Sequence, residues 1–185
     1  MRVLCIFLAG CFQSIAPDVP DASPFDPTTG KFATTRGADG SYTTVVDSSS
    51  MADWTFGDFE TGGELVASEP WDLRFQRFHI STNGGVSGTG DVEIAPIPDL
   101  AFVDAAVAPA TGWISDAPDD DDEDAEPEYA LDDWYDYDPM THVLTPKPLV
   151  WAVRTNGGST IKLEITRYYD EAGNAGWFTL HWSSL

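Results

Sequence analysis

Carboxylates are the most abundant chemically active side chains in this sequence of 185 residues, which has 31 Asp and Glu residues against 9 Lys and Arg residues. Nine of the carboxylates fall in residues 116–128, DAPDDDDEDAEPE, with no basic residue among them. Carboxylate oxygens suit Ca²⁺, but the run lacks the sixth-position glycine and the correctly spaced closing glutamate of an EF-hand loop. We therefore interpret 116–128 as a solvated acidic loop and predict no metal site, with calcium binding as the alternative.

The motifs of the common enzyme classes are absent from the sequence. It contains no HExxH zinc motif, no Walker phosphate loop and no GxGxxG ahead of a helix. Residues 85–89, GVSGT, lack the final glycine of a nucleophile elbow and follow a strand pattern rather than leading into a helix. Because carboxylates are so numerous, no pair of them stands out as an acid and base. We predict no catalytic residues and no enzymatic activity.

The net charge excludes one broad class of partner. At pH 7 the chain carries a formal charge of −22. A surface this negative repels phosphate backbones and anionic lipid headgroups. The sequence therefore predicts no nucleic-acid partner.

The first eleven residues, MRVLCIFLAGC, have the pattern of a bacterial lipoprotein signal. A basic residue precedes a short apolar run, and Leu-Ala-Gly-Cys resembles the lipobox at which such signals are cleaved and acylated. Cys5 would leave with the signal and Cys11 would carry the lipid, so no cysteine remains for a disulfide or a thiol nucleophile. More than one acyl chain holds a protein stably on a bilayer. We expect a membrane partner through a lipid anchor on Cys11.

The segment after the anchor predicts a tether followed by one domain. Residues 12–30 are rich in Pro and Asp and cannot bury a core, which is typical of a disordered linker. The remaining chain, 31–185, is long enough for a single substantial core. Phe12, rather than Asp, after the lipidated cysteine resembles outer-membrane sorting in diderm bacteria. We therefore predict a lipid-anchored protein of the cell envelope, in the outer membrane.

The elements of this domain read as strands joined by tight turns. In 71–90, WDLRFQRFHISTNGGVSGTG, the first six residues alternate apolar and polar side chains, as a half-buried strand does. Phe78 and Ile80 then move the apolar set to the other face, which predicts a bulge or a strand buried on both faces near Arg77. Asn-Gly within 83–85 predicts a hairpin turn, since both central residues of a type I′ turn need positive φ.

The same construction recurs near the C-terminus. Residues 149–158, LVWAVRTNGG, predict a strand and a turn, and 161–182 predict two alternating strands joined by DEAGNAG. Further candidate hairpins lie at 31–47, joined by GADG, and at 54–67, around Gly62-Gly63. Residues 90–117 are interrupted by prolines and stay unassigned. Hairpins without long helical patterns between them favour an all-β fold, an antiparallel β-sandwich or open barrel forming a single domain.

Two of these stretches carry a resemblance to a known family. WDLRFQRFHISTNGGVSGTG at 71–90 and VWAVRTNGGSTIKLEITRYYDEAGNAGWFTLHW at 150–182 resemble the HmuY family of bacterial secreted lipoproteins, with weaker similarity back to Tyr42. The best-studied members of that family are haem-binding, haem-scavenging proteins with an all-β fold. The resemblance thus implies haem or a related porphyrin as the cofactor and an outer-membrane uptake receptor as a partner.

The resemblance also indicates where iron ligands should be sought. In the family the two ligands, His or Met, come from the region between the two motif strands. Here Met140 and His142, in DPMTHVLTP, are the candidates for haem binding, and no His or Met occurs between Gly90 and Asp138. A non-haem binding or interaction lipoprotein on the same scaffold is the alternative. Its contact surface would be the aromatic residues beside the acidic loop, which we expect to be exposed: Trp134, Tyr135 and Tyr137.

Overall fold

The structure is a computed structural model that describes residues 29–120 and 126–185. These residues form two short 3-10 helices, Phe102–Asp104 and Asp132–Trp134, and twelve strands. Numbered β1 to β12 in chain order, the strands are Phe32–Arg36, Tyr42–Asp47, Thr55–Asp58, Gly63–Leu65, Leu73–Gln76, His79–Thr82, Glu93–Ile97, Tyr135–Asp138, Val143–Pro146, Val150–Arg154, Thr160–Tyr169 and Ala175–Ser184. Among the residues described, no helix has the length and apolar character to span a bilayer.

The strands form two larger sheets and one projecting hairpin. The first sheet has the order β1-β2-β12-β11-β10-β7, the second has the order β4-β3-β5-β6, and β8 pairs with β9 alone. Every strand pair is antiparallel. The prediction of an all-β antiparallel fold built from hairpins is confirmed.

Alternating side chains explain why the two sheets pack face to face. In β2, Tyr42, Thr44 and Val46 are buried while the two residues between them are exposed, which is the period of a strand with one face on a core. The inward residues of both sheets share one hydrophobic cluster, which joins Val46 of the first sheet to Phe75 of the second. Four of the tryptophans are buried: Trp71, Trp134, Trp151 and Trp182.

The position of the turn within 71–90 was predicted incorrectly. Residues 73–82 are two strands, β5 and β6, joined by a tight turn at Arg77 and Phe78, where Arg77 adopts a φ of 52°. The switch of apolar face at this point therefore marks a turn rather than a bulge. Asn83-Gly84 forms no hairpin, because β6 lies in the second sheet and the next strand, β7, pairs with β10 in the first. This segment instead crosses between the sheets.

The second TNGG sequence behaves as predicted, since Thr155–Gly158 joins β10 to β11 in a hairpin. The unassigned region 90–117 contains β7 and one of the 3-10 helices. The C-terminal strand β12 lies in the middle of its sheet, between β2 and β11. His181 is therefore a central residue, whose Nδ1 lies 2.8 Å from Glu164 Oε1.

Candidate functional site

The hairpin formed by β8 and β9 carries the two predicted iron ligands at its tip. Asp138 shapes the turn, because its carboxylate accepts hydrogen bonds from Met140 N (2.8 Å) and Thr141 Oγ1 (2.7 Å). These two bonds lower the pKa of Asp138, first the one from the Thr141 hydroxyl and then the one from the Met140 amide. His142 follows with a φ of 58°, which closes the turn. The tip is thus a defined loop that presents its side chains outward.

The His142 ring is oriented by a neighbouring tyrosine. Its Nδ1 is hydrogen-bonded to the Tyr137 hydroxyl on the facing strand. When Nδ1–H donates to that oxygen, the lone pair of Nε2 is free to bind a metal, and such a partner fixes the ring of a metal-ligating histidine. His142 is exposed, and Met140 is 87 % exposed. The hairpin tip therefore offers a nitrogen ligand and, two residues away, a thioether ligand.

A cleft of about 280 Å³ lies beside this hairpin, between β9 and the end of β11. Leu144 N donates to Tyr169 Oη (2.9 Å), which ties the hairpin to the first sheet. The exposed Arg167 and the buried Tyr168 also line the cleft. An apolar strand edge next to a cation is a suitable surface for a flat ligand that bears carboxylates.

Trp134 is not the exposed contact residue that the sequence predicted. Its ring is fully buried, packs against Tyr168 and Phe178, and donates from Nε1 to the Phe78 carbonyl oxygen (2.9 Å). It fastens the base of the hairpin to the core. The predicted aromatic surface thus reduces to two residues, Tyr135, which is half-buried, and Tyr137, which is 52 % exposed.

A second histidine, His79, lies near the base of the hairpin. Its ring packs between Phe78 (centroids 4.1 Å apart) and Tyr129 (5.3 Å), and Phe78 in turn contacts Tyr135. Its Nε2 lies 3.4 Å from Glu126 Oε2, whereas Nδ1 is buried and has no hydrogen-bond partner in the described structure. The sequence contained no signal for this arrangement, since it depends on residues from three separate segments.

The two TNGG sequences meet away from the hairpin, at Asp72. This fully buried carboxylate accepts hydrogen bonds from Phe59 N (2.8 Å) and Asn156 N (2.6 Å), while the backbone oxygen of Asp72 accepts from Asn83 N (2.9 Å). Burial raises the pKa of Asp72 to about 8 against the opposing effect of the two amides, and the neighbouring Glu60 adds to the rise. Asp72 therefore joins the crossing segment to the β10–β11 hairpin.

Asp58, Glu60 and Asp72 together have the spacing of a cation site. One carboxylate oxygen from each lies within 4.8 Å of the others. Each carboxylate nevertheless has protein donors: Thr61 donates to Asp58, the Thr155 hydroxyl to Glu60, and two amides to Asp72. We interpret the cluster as a hydrogen-bonded junction between the sheets.

The fold and the hairpin define the class of protein: an antiparallel β-sandwich with a projecting hairpin that carries a histidine. The family model described as HmuY protein matches residues 50–182. The chain belongs to the HmuY family, which is a family of binding proteins.

Three solved structures are similar to this chain in fold. A protein of Bacteroides vulgatus described as HmuY-like and haem-binding has 20 % identity and a TM-score of 0.62, covering 83 % of this chain and 97 % of its own. The apo HmuY analog of Tannerella forsythia has 15 % identity and a TM-score of 0.61, covering 85 % and 97 %. A Bacteroides fragilis protein described as a lipoprotein has 19 % identity and a TM-score of 0.60, covering 80 % and 93 %. No curated protein matches the chain.

Proposed function

We propose that this HmuY-family protein is a lipid-anchored carrier that binds haem or a related porphyrin at the β8–β9 hairpin. The observation that carries the proposal is the exposed His142 ring held by Tyr137, at the tip of a hairpin that borders a cleft. His142 or Met140 would bind the iron, and Arg167 is placed to pair with a propionate. These residues would contact bound haem only through its iron and its carboxylates.

The hairpin tip would hold the iron through one residue, His142 or Met140. When Nδ1 donates to Tyr137, Nε2 of His142 would be the ligating atom, and a second protein contact with the porphyrin would come from outside the hairpin tip. His79 is a histidine at the hairpin base whose buried Nδ1 has no partner in the described structure. It is therefore the first residue to test for a second contact with the porphyrin.

The test is a haem titration of the full chain carrying Cys11→Ser, followed by Soret absorbance in the oxidised and reduced states. We expect saturable binding that His142→Ala weakens at least tenfold, with a smaller loss in Met140→Ala. His181→Ala is the matched control, because His181 is paired with Glu164 on the first sheet. A response that does not saturate, or that is the same in His142→Ala, would refute haem binding at the hairpin.

The anchor and the location form the second part of the proposal. Cys11 and residues 1–28 lie outside the described residues, as does part of the acidic loop, 121–125. The lipobox-like LAGC sequence supports acylation of Cys11, and the similar Bacteroides fragilis protein is described as a lipoprotein. We propose a cell-envelope protein in the outer membrane that passes its ligand to an uptake receptor.

The alternative function, a binding module that does not use haem, is favoured by a specific observation elsewhere in the fold. A cleft beside the second sheet is lined by an arginine and by no histidine or methionine.

A further inference from the structure

A cleft of about 550 Å³ lies where the second sheet meets the two TNGG segments. It is lined by Phe56 and Arg74 from the sheet and by Trp71, Asn83, Gly88 and Asn156 from the segments beside it. This volume is in the range of small-molecule sites. The cleft shares no lining residue with the one beside the β8–β9 hairpin. It is therefore a separate candidate site, independent of the proposed function.

Arg74 is the basic group of this cleft, whose lining also includes the exposed Glu69, a carboxylate that accepts a hydrogen bond from Val66 N. The position of the Arg74 side chain is fixed by its neighbours. The guanidinium carbon lies 4.4 Å from the Trp54 ring centroid and 5.4 Å from that of Trp71, and Nε donates to Ser81 Oγ (3.1 Å). Burial lowers the pKa of Arg74, which reflects partial loss of water around the guanidinium. The aromatic faces and Ser81 therefore hold the guanidinium in place, and neither Nη group has a hydrogen-bond partner among residues 29–120 and 126–185.

Arg74 forms no ion pair with a carboxylate within the part of the chain that the structure describes. By contrast, Arg154 is paired with Glu93 and Lys147 with Asp133. In a chain with 31 acidic residues, a half-buried arginine without a carboxylate partner is a candidate anion-binding group. Arg74 uses Nε for Ser81 and has no carboxylate partner among the residues described.

The floor of the cleft adds polar groups from the crossing segment. Asn83 is held by its bonds to the Trp71 carbonyl (2.7 Å) and Gly90 N (3.1 Å). The backbone of Gly88 approaches so closely that a Cβ there would lie 2.1 Å from Asn83 Oδ1. The Asn156 backbone is bound to Asp72, which leaves its side-chain amide as a donor. The Ser87 hydroxyl oxygen, also at this cleft, is buried without a hydrogen-bond partner in the described structure.

We propose that this cleft binds a small monocarboxylate that contains a ring. Its carboxylate would accept hydrogen bonds from the Nη groups of Arg74, and the side-chain amide of Asn156 would be a second donor. Phe56 supplies the partly exposed apolar wall against which a ring can lie. A single fixed guanidinium matches one carboxylate in bidentate geometry. The charge of −22 disfavours ligands with several negative charges, including inorganic phosphate.

The test uses the ¹⁵N-labelled full chain carrying Cys11→Ser and follows the Arg74 Nε–H and Trp71 indole N–H signals. The probes are benzoate and D-glucuronate, which separate an aromatic acid from a sugar acid, with benzamide, glucose and inorganic phosphate as comparisons. We expect at least one of the two acids to shift both signals saturably, and the uncharged comparisons and phosphate to bind at least tenfold more weakly.

Three variants make the result specific. Arg74→Gln should raise the Kd at least tenfold. Asn156→Asp, which puts a carboxylate on the floor of the cleft, should do the same without removing the packing of Arg74 between the tryptophans. Arg167→Gln, at the other cleft, should leave the Kd unchanged. Wild-type affinity in Arg74→Gln or in Asn156→Asp would overturn the proposal. Equal binding of benzamide and benzoate, or no saturable shift with either acid, would also overturn it. The haem titration of Arg74→Gln should match that of the wild type, so the two proposals fail separately.

Discussion

Asp72 offers the most direct test of the packing at the junction of the two sheets, because its stability contribution depends on pH. Its carboxyl is fully buried, and burial raises its pKa from 3.8 to about 8. The amides of Phe59 and Asn156 oppose the rise, and Glu60 and Asp58 reinforce it. The folded state therefore holds a proton that the unfolded chain releases above pH 3.8.

The sign and size of the effect follow from that difference. Because the folded pKa is the higher one, the stabilisation is complete below pH 3.8 and is lost as the pH rises to about 8. Each unit of difference corresponds to about 1.4 kcal/mol, which sets an upper limit of about 6 kcal/mol for the whole span. Rearrangement of Glu60 and entry of water make the real change in stability smaller than this limit. We therefore expect the free energy of unfolding to fall by about 2–4 kcal/mol between pH 5 and pH 8.

The assay is urea unfolding of the wild type and of Asp72→Asn at pH 5, 6, 7 and 8. The variant should lose most of this pH dependence, because asparagine does not titrate. At pH 5 it should be less stable by about 1–3 kcal/mol, since its amide nitrogen cannot accept from one of the two backbone N–H groups. Asp91→Asn, at an exposed position, is the control and should keep the wild-type slope. Parallel pH profiles for the wild type and Asp72→Asn would refute a proton on Asp72.

Three further changes test the packing and the anchor. Gly57→Ala should lower the free energy of unfolding by about 1–3 kcal/mol, because the new Cβ would lie 2.1 Å from the fully buried Phe32 ring; an unchanged urea midpoint would contradict this contact. Trp134→Phe should lower the free energy of unfolding by about 1–3 kcal/mol, because the Phe78 carbonyl loses its hydrogen-bond donor. Wild-type stability would show that this bond does not hold the hairpin. Cys11→Ser should abolish incorporation of radiolabelled palmitate and release the protein from the membrane fraction, and continued labelling would contradict acylation at that residue.

Much of the architecture could be predicted because strands and tight turns depend on short-range patterns in the sequence. The alternation in 160–169 and 175–184 sets two half-buried strands, and Thr155–Gly158 closes a hairpin because its turn residues lie between two strands of one sheet. The family could also be recognised from the residues of these strands and of 71–90.

The candidate sites were less predictable, because burial and partners arise from contacts between distant segments. Trp134 looked exposed among acidic neighbours, yet Phe78, 56 residues earlier in the chain, supplies its acceptor and draws the ring into the core. Likewise Asn83-Gly84 has the local chemistry of a hairpin, but β6 and β7 belong to different sheets, so the same residues make a crossing.

The strand pattern, the acidic charge and the family follow from the sequence, because each depends on residue type and on spacing along the chain. The grouping of the polar side chains depends on the fold: Tyr137 lies against His142, Arg74 between two tryptophans, and Asp72 beneath both TNGG segments. The physical reason is that hydrogen bonds and charges act over a few ångströms in space, and folding brings together groups as far apart as Asp72 and Asn156, 84 residues along the chain.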